Sequence, residues 1–361
     1  AVGGYGYSSS TGRTYIFYND GSIPTSAASA DVIMTGEAVS SFGHTMVSGD
    51  FNADSRIDLA VGAHNYSSST GSAYIFYNDG SYPSDAASAD VIITGEASLN
   101  HFGYSVASGD FNTDGRTDLA IGAYGYSSVA GRTYIFHNDG SIPTTAASAD
   151  VIIDGEASSR FGSALAAGDF NVDGKTDLSV GANIYSSNAG RAYIFYSDGS
   201  IPTSAASADI IITGEVSSYF GYSMAVGDFN ADGKTDLAIG AYGYATNVGR
   251  VYIYETRDDF AWQLPSYSTG MRVNNVAGDE LKITGESSGG YFGGGTPTAG
   301  DFNSDGRVDL AVGAYYANGS GKIYIFYNDG SISNSAALAD VIITGEASSR
   351  FGVSISPGDF K

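Results

Sequence analysis

Residues 227–241 read GDFNADGKTDLAIGA, a stretch that places three aspartates and one asparagine within nine residues and then continues into apolar sequence. Near-copies begin at Asp50, Asp110, Asp169 and Asp301, and all five share the pattern D-x-N-x-D-[GS]-x-x-D. An ordinary surface turn does not require the same four polar positions at every occurrence. The recurrence therefore indicates a repeat protein that uses one loop chemistry several times.

The repeat extends well beyond these acidic segments. Phe-Gly pairs begin at residues 42, 102, 161, 220, 292 and 351, with spacings of 60, 59, 59, 72 and 59 residues. Between them, period-two alternation, β-branched and aromatic residues, and Gly or Asn-Asp-Gly punctuation predict four short strands per repeat. We therefore predict an all-β fold, a six-bladed β-propeller of four-stranded antiparallel blades, as a single domain over residues 1–361. A solenoid is the structural alternative.

One link and the two chain ends depart from the regular repeat. The link after Tyr254 is 12 residues longer than its counterparts and holds Trp262, which we interpret as a loop elaboration. AVGGYGY at residues 1–7 matches a second strand, and FGVSISPGDFK at residues 351–361 matches a first strand. We predict that pairing of these N- and C-terminal strands closes the propeller. A strand donated to a neighbouring chain, which would build a filament, and a longer repeat array are the alternatives.

Composition restricts the partners. The chain has 39 acidic and 16 basic residues and a formal net charge of −23. No apolar run approaches the length of about 18 residues that a membrane-spanning helix needs. We therefore expect no nucleic-acid binding and no membrane insertion, whereas cations are natural partners. The absence of cysteine excludes disulfides and thiol chemistry.

The acidic segments, called acidic loops 1 to 5 below, have the composition of a site for a hard divalent cation. Ca²⁺ takes about six to eight oxygen ligands, and alternate residues of a tight loop can turn their side chains toward one point. Positions 1, 3, 5 and 9 offer side-chain oxygens, and position 7 offers its main-chain carbonyl. We predict about five Ca²⁺ sites, with the ligand residues Asp50, Asn52, Asp54, Arg56 and Asp58; Asp110, Asn112, Asp114, Arg116 and Asp118; Asp169, Asn171, Asp173, Lys175 and Asp177; Asp228, Asn230, Asp232, Lys234 and Asp236; and Asp301, Asn303, Asp305, Arg307 and Asp309.

The alternative is that these segments are Asx-type turns, because Asp and Asn favour turns without any metal. Three carboxylates per loop would then repel one another with no cation to compensate them, and this argues for the metal. Position 6 must make a sharp turn and is glycine in four loops, but it is Ser55 in loop 1. We therefore expect loop 1 to bind its cation most weakly.

The Phe-Gly pairs, the acidic loops and the Gly-Ala pairs that follow them, as at Gly122-Ala123 and Gly240-Ala241, resemble FG-GAP repeats. These are the blades of the integrin alpha-subunit β-propeller. The resemblance covers essentially the whole chain, although the proline of the family name is replaced and six units are present instead of seven. It implies an extracellular, calcium-stabilised module for recognition or adhesion.

An enzyme would need chemistry outside the repeat. Most carboxylates recur at equivalent positions, and the exceptions are Asp85, Asp154, Glu255, Asp258, Asp259 and Glu280. Four of these belong to the expanded link, so only there could a carboxylate pair act in acid–base catalysis. We predict no enzymatic activity. The four histidines occupy positions that hold other residues in sister repeats, and we interpret them as incidental substitutions.

The end of each blade opposite the acidic loops is a candidate recognition face for a protein or glycan ligand. One corner position before each Phe-Gly varies while its neighbours repeat: Ser41, His101, Arg160, Tyr219, Tyr291 and Arg350. A tyrosine recurs in the adjoining loop: Tyr7, Tyr66, Tyr126, Tyr185, Tyr244 and Tyr316. Exposed tyrosine and arginine suit ligand contact, and packing of the tyrosines between blades is the equal alternative.

Together these observations predict a secreted or surface-displayed calcium-binding β-propeller. Its expected role is adhesion, or a structural part of an extracellular assembly, with self-assembly into filaments as one form. A lectin-like carbohydrate-binding module is the alternative function.

Overall fold

The computed structural model describes residues 1–18, 26–256, 280–346, 349–353 and 355, and the backbone of residues 271–273. Strands dominate these residues. In chain order they are β1 Val2–Gly3, β2 Arg13–Ile16, β3 Val32–Thr35, β4 Thr45–Gly49, β5 Asp58–Ala63, β6 Ser72–Phe76, β7 Val91–Thr94, β8 Ser105–Gly109, β9 Asp118–Ala123, β10 Arg132–Phe136, β11 Val151–Asp154, β12 Phe161–Gly168, β13 Asp177–Ala182, β14 Arg191–Phe195, β15 Ile210–Thr213, β16 Ser223–Gly227, β17 Asp236–Ala241, β18 Arg250–Tyr254, β19 Met271–Val273, β20 Leu281–Thr284, β21 Thr298–Gly300, β22 Asp309–Ala314, β23 Lys322–Phe326 and β24 Val341–Thr344.

The strands form six sheets, and the fold is the predicted all-β, six-bladed propeller. The sheets have the orders β1-β2-β3, β4-β5-β6-β7, β8-β9-β10-β11, β12-β13-β14-β15-β19, β16-β17-β18-β20 and β21-β22-β23-β24. Consecutive strands of a sheet pair antiparallel, as in the register Leu59↔Phe76 between β5 and β6. The first sheet has three strands among the described residues. Half of the predicted closing strand, residues 351–358, lies outside them, so closure stays a prediction.

Contacts divide the chain into two compact units. Residues 1–165 and 199–205 form most of the first, and residues 166–198 and 206–358 form the second. The first unit holds sheets one to three, with a core around Phe42, Phe102 and Tyr134. The second holds sheets five and six, with a core around Phe292 and Tyr324.

Short helical turns join the strands. Four of them follow the second strand of a sheet and one follows β1, and the central residues of all five have left-handed dihedral angles, with φ between 46° and 60°. These turns are α1 Tyr7–Ser10, α2 Tyr66–Ser69, α3 Tyr126–Val129, α4 Tyr185–Asn188 and α5 Tyr244–Asn247. The described residues also contain six 3₁₀ turns: Ala27–Ser29, Ala86–Ser88, Ala146–Ser148, Ala205–Ser207, Ala317–Gly319 and Ala336–Leu338. No helix in the described part of the chain is long and apolar enough to cross a bilayer.

The motifs that define the repeat are packing positions. Phe42 is fully buried and meets Tyr74 edge to face, with ring centroids 5.5 Å apart. A Cβ on Gly62 would collide with the carbonyl oxygen of Gly103. The Gly-Ala strand of one repeat and the Phe-Gly corner of the next therefore approach so closely that only glycine fits.

The expanded link contains a strand that the sequence interpretation did not include. β19 pairs in parallel with β15, with Ile210 opposite Met271, and adds a fifth strand to the fourth sheet. Elsewhere the corresponding contact is a single bridge, such as that between Thr94 and Thr145. The longer link therefore extends a contact that other repeats already make. Trp262 lies outside the described residues.

Candidate metal loops and the opposite loop face

Each acidic loop connects the first strand of a sheet to the second. In loop 1, the side-chain oxygens of positions 1 and 3 converge, because the Asp54 N–H donates to Asp50 Oδ1 at 3.1 Å and to Asn52 Oδ1 at 3.0 Å. The same pair of bonds occurs in the other four loops, at 2.9–3.1 Å. In each loop the side-chain oxygens of positions 1 and 3 therefore meet at the main-chain N–H of position 5.

Position 9 behaves differently from positions 1, 3 and 5. Asp58 is 1% exposed, and its two carboxylate oxygens accept main-chain N–H groups from Phe51 and Asn78, both at 2.8 Å. The equivalent aspartates at 118, 177, 236 and 309 are buried and accept the same two bonds. This carboxylate therefore ties the loop to the end of the third strand.

Burial shifts the pKa of these inner carboxylates. Desolvation raises the pKa of Asp177 to about 7, against the lowering effect of its two hydrogen bonds, and Asp173 and Asp169 raise it further. Burial likewise raises the pKa of Asp236 to about 7 and raises the pKa values of Asp58 and Asp118. Burial thus disfavours the charged form of these inner carboxylates, and a cation bound close by would favour it.

Position 6 has the expected left-handed backbone. Its φ is 67° at Ser55 and 81–86° at the four glycines, where an added Cβ would meet nothing within 4 Å. Only the dihedral angle, and not space, therefore favours glycine here. Position 4 is also left-handed, with φ of 59–64°, although no glycine marks it: Ala53, Thr113, Val172, Ala231 and Ser304.

At position 7 the basic side chains of three loops turn away from the carboxylates. Arg56 donates from Nη1 to the Asn78 carbonyl at 3.1 Å, and Arg116 and Arg307 make the equivalent bond. The main-chain carbonyl of this residue, rather than its side chain, is thus the group suited to a cation.

The donor set fits a hard cation, since it consists of carboxylate, amide and carbonyl oxygens. Among the described residues, no three His, Asp or Glu side chains are already arranged as a metal would require. The carboxylates instead accept hydrogen bonds from the loop's own main chain. Each carboxylate oxygen has a second lone pair, so these bonds leave acceptor capacity for a cation.

At the opposite end of the blades, four of the six recurrent tyrosines lie beneath arginine side chains. The guanidinium carbons of Arg13, Arg132, Arg191 and Arg250 lie 3.6–3.7 Å from the ring centroids of Tyr7, Tyr126, Tyr185 and Tyr244. One face of each of these rings is therefore occupied by the protein itself. Tyr7 still has 40% of its surface exposed.

The corner residues contact a different set of aromatic side chains, which follow the Gly-Ala pairs. Tyr219 stacks on Tyr242 at 4.7 Å between ring centroids, and Tyr291 stacks on Tyr242 and on Tyr315 at 5.6 Å. We call Tyr219, Tyr242, Tyr291 and Tyr315 the tyrosine stack. Sequence comparison of the corner positions alone does not reveal it, because its partners come from another position of the repeat.

Three of the four histidines lie together in the first unit. The His44 and His64 ring centroids are 4.3 Å apart, and those of His64 and His101 are 5.8 Å apart. Burial lowers the pKa of His44 to about 4 and that of His64 to about 2. The interpretation of these histidines as incidental substitutions did not anticipate the cluster. The available signal was that His44 and His64 replace the tyrosine pairs 104/124 and 222/242 of sister repeats.

The other repeated carboxylates have structural partners. The Tyr134 hydroxyl donates to Glu96 Oε1 at 2.7 Å, and Tyr74, Tyr252 and Tyr324 make the same bond to the glutamate of the preceding repeat. In five repeats the aspartate that opens the fourth strand accepts a main-chain N–H at the end of the third, as Asp90 does from Tyr77. Asp258 and Asp259 of the expanded link lie outside the described residues, so a carboxylate pair there is untested.

Comparison with known proteins identifies the repeat. The FG-GAP repeat family model matches residues 42–76, 102–136, 161–195, 220–254 and 293–326. The chain is therefore an FG-GAP repeat protein, as its motifs predicted.

Its relatives are larger proteins. It is 36% identical over 157 residues to human phosphatidylinositol-glycan-specific phospholipase D, a match covering 38% of this chain and 18% of the relative. It is 30% identical over 222 residues to Xenopus laevis integrin alpha-4, a match covering 61% of this chain and 20% of the relative. Integrin alpha pat-2 of Caenorhabditis briggsae is 31% identical over 212 residues, a match covering 55% of this chain and 16% of the relative. The chain thus spans about a fifth or less of the length of these relatives.

A solved structure also aligns with the chain. The V. cholerae biofilm matrix protein Bap1 aligns at a TM-score of 0.35 and 16% identity, covering 84% of this chain and 40% of that one. This agreement is too loose to support an argument about function.

Proposed function

We propose that this protein is a calcium-binding FG-GAP β-propeller that acts outside the cell in adhesion or as a structural element of an extracellular assembly. The observation that carries the proposal is the convergence of the oxygens of positions 1 and 3 on one N–H in all five acidic loops. The match to integrin alpha subunits supports the adhesive role.

In this function the acidic loops hold the cation and the opposite loops meet the partner. Position 1, 3 and 5 side chains and the position 7 carbonyl would bind Ca²⁺, and the position 9 carboxylate would orient the loop from beneath. The bound ion would supply positive charge and rigidity, not chemistry. A rigid loop end on each blade keeps the ordering cost of partner binding low.

Calcium titration by isothermal calorimetry, together with thermal melts with and without chelator, tests the proposal. Sites of extracellular modules have dissociation constants of about 10⁻⁴–10⁻³ M. Free Ca²⁺ at tenfold that value would stabilise the fold by about 1.4 kcal/mol per site. The control is a variant with Asn at position 5 of every loop: Asp54→Asn, Asp114→Asn, Asp173→Asn, Asp232→Asn and Asp305→Asn. A melting temperature of the unaltered protein that does not change in EDTA would refute the proposal.

The tyrosine stack favours a second candidate function, that of a carbohydrate-binding module. Aromatic faces and hydroxyls on ordered loops suit sugar rings, which present both apolar and polar surface. A glycan array separates this function from protein adhesion. Binding that is lost in Tyr291→Ala and kept in Tyr82→Ala, a tyrosine outside the stack, would support the lectin. An array without any binding would leave the protein-binding role as the better account.

A further inference from the structure

Two buried asparagines each bond to a pair of neighbouring acidic loops. Asn138 is fully buried, and its main-chain N–H donates to Asp118 Oδ1, at position 9 of loop 2, at 2.8 Å. Its side-chain Nδ2 donates to the main-chain carbonyl of Asp50, position 1 of loop 1, at 3.3 Å. One residue therefore touches a predicted ligand residue in each of two loops.

Asn328 repeats this arrangement in the second unit. Its N–H donates to Asp309 Oδ1 of loop 5 at 2.8 Å, and its Nδ2 donates to the carbonyls of Asp228 in loop 4 and of Val308, both at 3.2 Å. Because Nδ2 faces two carbonyl acceptors, a flipped amide would place oxygen against oxygen, and the hydrogen bonds thus fix the orientation.

The asparagine carries a cost that a smaller residue would avoid. In the described residues, the Oδ1 atoms of Asn138 and Asn328 are buried without a hydrogen-bond partner, which is unfavourable. Sister repeats have Ser197 and Thr256 at this position, and their hydroxyls donate to Thr176 and Thr235 within their own loops. Among the described residues, Asn138 and Asn328 thus make a bond to a neighbouring loop, whereas Ser197 and Thr256 bond within their own loops.

We propose that Asn138 and Asn328 couple cation binding between neighbouring loops, so that loops 1 and 2, and loops 4 and 5, fill as pairs. This inference rests on the proposed function, because it assigns regulation to the same calcium sites. When position 9 of one loop is ordered, its carboxylate holds the main chain of the asparagine in place. The side chain of that asparagine then holds the main chain of position 1 of the other loop. Such coupling is reciprocal, so each cation favours the other to the same extent.

Loops 3, 4 and 5 offer built-in reporters for a test. The position 6 glycines donate their N–H to the position 1 carboxylate, as Gly233 does to Asp228 at 2.8 Å and Gly306 to Asp301 at 2.9 Å. In protein labelled with ¹⁵N-glycine, the amide signals of Gly174, Gly233 and Gly306 would report the filling of loops 3, 4 and 5 during a calcium titration.

The decisive comparison impairs the proposed calcium site of loop 5 and measures calcium filling of loop 4. We expect Asp305→Ala to weaken calcium filling at Gly233 by about fivefold or more, the lower end of typical coupling, while Gly174 is unchanged. In an Asn328→Ser background, which copies Ser197, Asp305→Ala should leave the Gly233 midpoint where it was. Asn78→Ser, at the equivalent position of loop 1, is the matched control and should retain the coupling between loops 4 and 5.

Two other outcomes are distinguishable. The coupling would be overturned, with calcium binding intact, if Asp305→Ala did not change the calcium midpoint of the Gly233 signal in the otherwise unaltered protein. It would also be overturned if that midpoint shifted equally with and without Asn328. If none of the three glycine signals responds to calcium in the unaltered protein, the proposed function itself fails.

Discussion

At the scale of single residues, many non-glycine positions have a left-handed backbone that the sequence does not mark. Non-glycine residues with φ between 46° and 67° occur in the acidic loops and in the turns α1 to α5. An L-residue in this region costs roughly 1–2 kcal/mol, least for Asn and Asp. Substitution at these positions therefore tests the turns without disturbing the core.

The first such prediction concerns loop 1. Ser55→Gly should raise the free energy of unfolding by up to about 1 kcal/mol and tighten calcium binding, because glycine adopts φ of 67° freely. The reverse change, Gly115→Ser in loop 2, should weaken that loop, since an added Cβ there meets no neighbour and only the dihedral cost remains. Calorimetric titration and denaturant unfolding measure both effects. Filling of loop 1 before the other loops in the unaltered protein would contradict the argument.

A second prediction concerns Val129, a β-branched residue at φ 62° in turn α3. The equivalent residues in two sister turns are Asn188 and Asn247, at the same angle. Val129→Asn should stabilise the protein by about 1 kcal/mol, because asparagine tolerates the left-handed region. Asn188→Val is the matched control and should destabilise by a similar amount in urea unfolding. A stabilising effect of both changes would show that burial, not the dihedral angle, decides the preference.

At the scale of elements, successive sheets are joined by side chains that reach from one repeat to the next. The Tyr134 hydroxyl donates to Glu96, and Arg132 forms ion pairs with Glu96 at 2.9 Å and with Asp154. The tyrosine ring is fully buried while the glutamate is part-exposed. The hydroxyl bond therefore lies at the boundary of the core, where a lost partner is costly.

We expect Tyr134→Phe to lower the free energy of unfolding by about 1–2 kcal/mol, because it removes a hydrogen bond to a charged acceptor. Glu96→Gln should cost less, since an amide oxygen still accepts the bond. A double-mutant cycle between Tyr134→Phe and Glu96→Gln in urea unfolding measures the coupling. Strict additivity of the two changes would mean that the bond contributes nothing specific.

The histidine cluster predicts a pH dependence. Free histidine titrates near 6.5, whereas burial holds the pKa of His44 near 4 and that of His64 near 2. Their surroundings are His101, Tyr5, Tyr104 and Tyr124, with Arg160 near Tyr124. Below pH 6.5, His44 and His64 therefore bind protons in the unfolded chain but stay neutral in the folded chain. The free energy of unfolding consequently falls as the pH drops from 6.5 toward 4.

The double variant His44→Tyr/His64→Tyr, which copies the tyrosine pairs of sister repeats, should lose this part of the acid sensitivity. The difference between the two stability curves should grow to about 2–3 kcal/mol per histidine by pH 4, as the linkage of pKa to stability requires. His137→Gln, outside the cluster, is the control and should leave the curve in place. Parallel curves for the unaltered protein and the double variant would refute the role of the cluster.

At the scale of the whole molecule, the formal charge of −23 affects stability through electrostatic self-repulsion. Five Ca²⁺ ions would add +10 and move it to −13. Part of any stabilisation by calcium would then come from reduced self-repulsion, which simple salt also reduces.

Thermal melts at matched ionic strength separate the two contributions. In EDTA, raising NaCl from about 0.01 to 0.15 M shortens the Debye length from about 30 to 8 Å, so we expect a higher melting temperature. Calcium at the same ionic strength should raise it further, and the position 5 asparagine variant should retain only the salt effect. Equal curves for calcium and NaCl would show that charge screening, not a bound ion, stabilises the protein.

The sequence by itself determined the strands, the repeat and the composition of the loops. Phe42 and Gly62 recur because strand packing requires them, and alternation along a strand is a local property that sequence displays directly. The left-handed angle at position 6 was predictable because glycine marks it. The same angle at Val172 and Val129 was not, since no glycine is present there.

Only the tertiary structure decided which side chains meet across repeats. Asn138 reaches Asp50 over 88 residues, and His44 reaches the Tyr104 carbonyl over 60 residues. It also assigned the position 9 aspartates to buried main-chain bonds and placed four of the recurrent tyrosines beneath arginines. The physical reason is that the repeat sets each side chain's position within its own sheet, whereas its partner depends on how closely the next sheet packs.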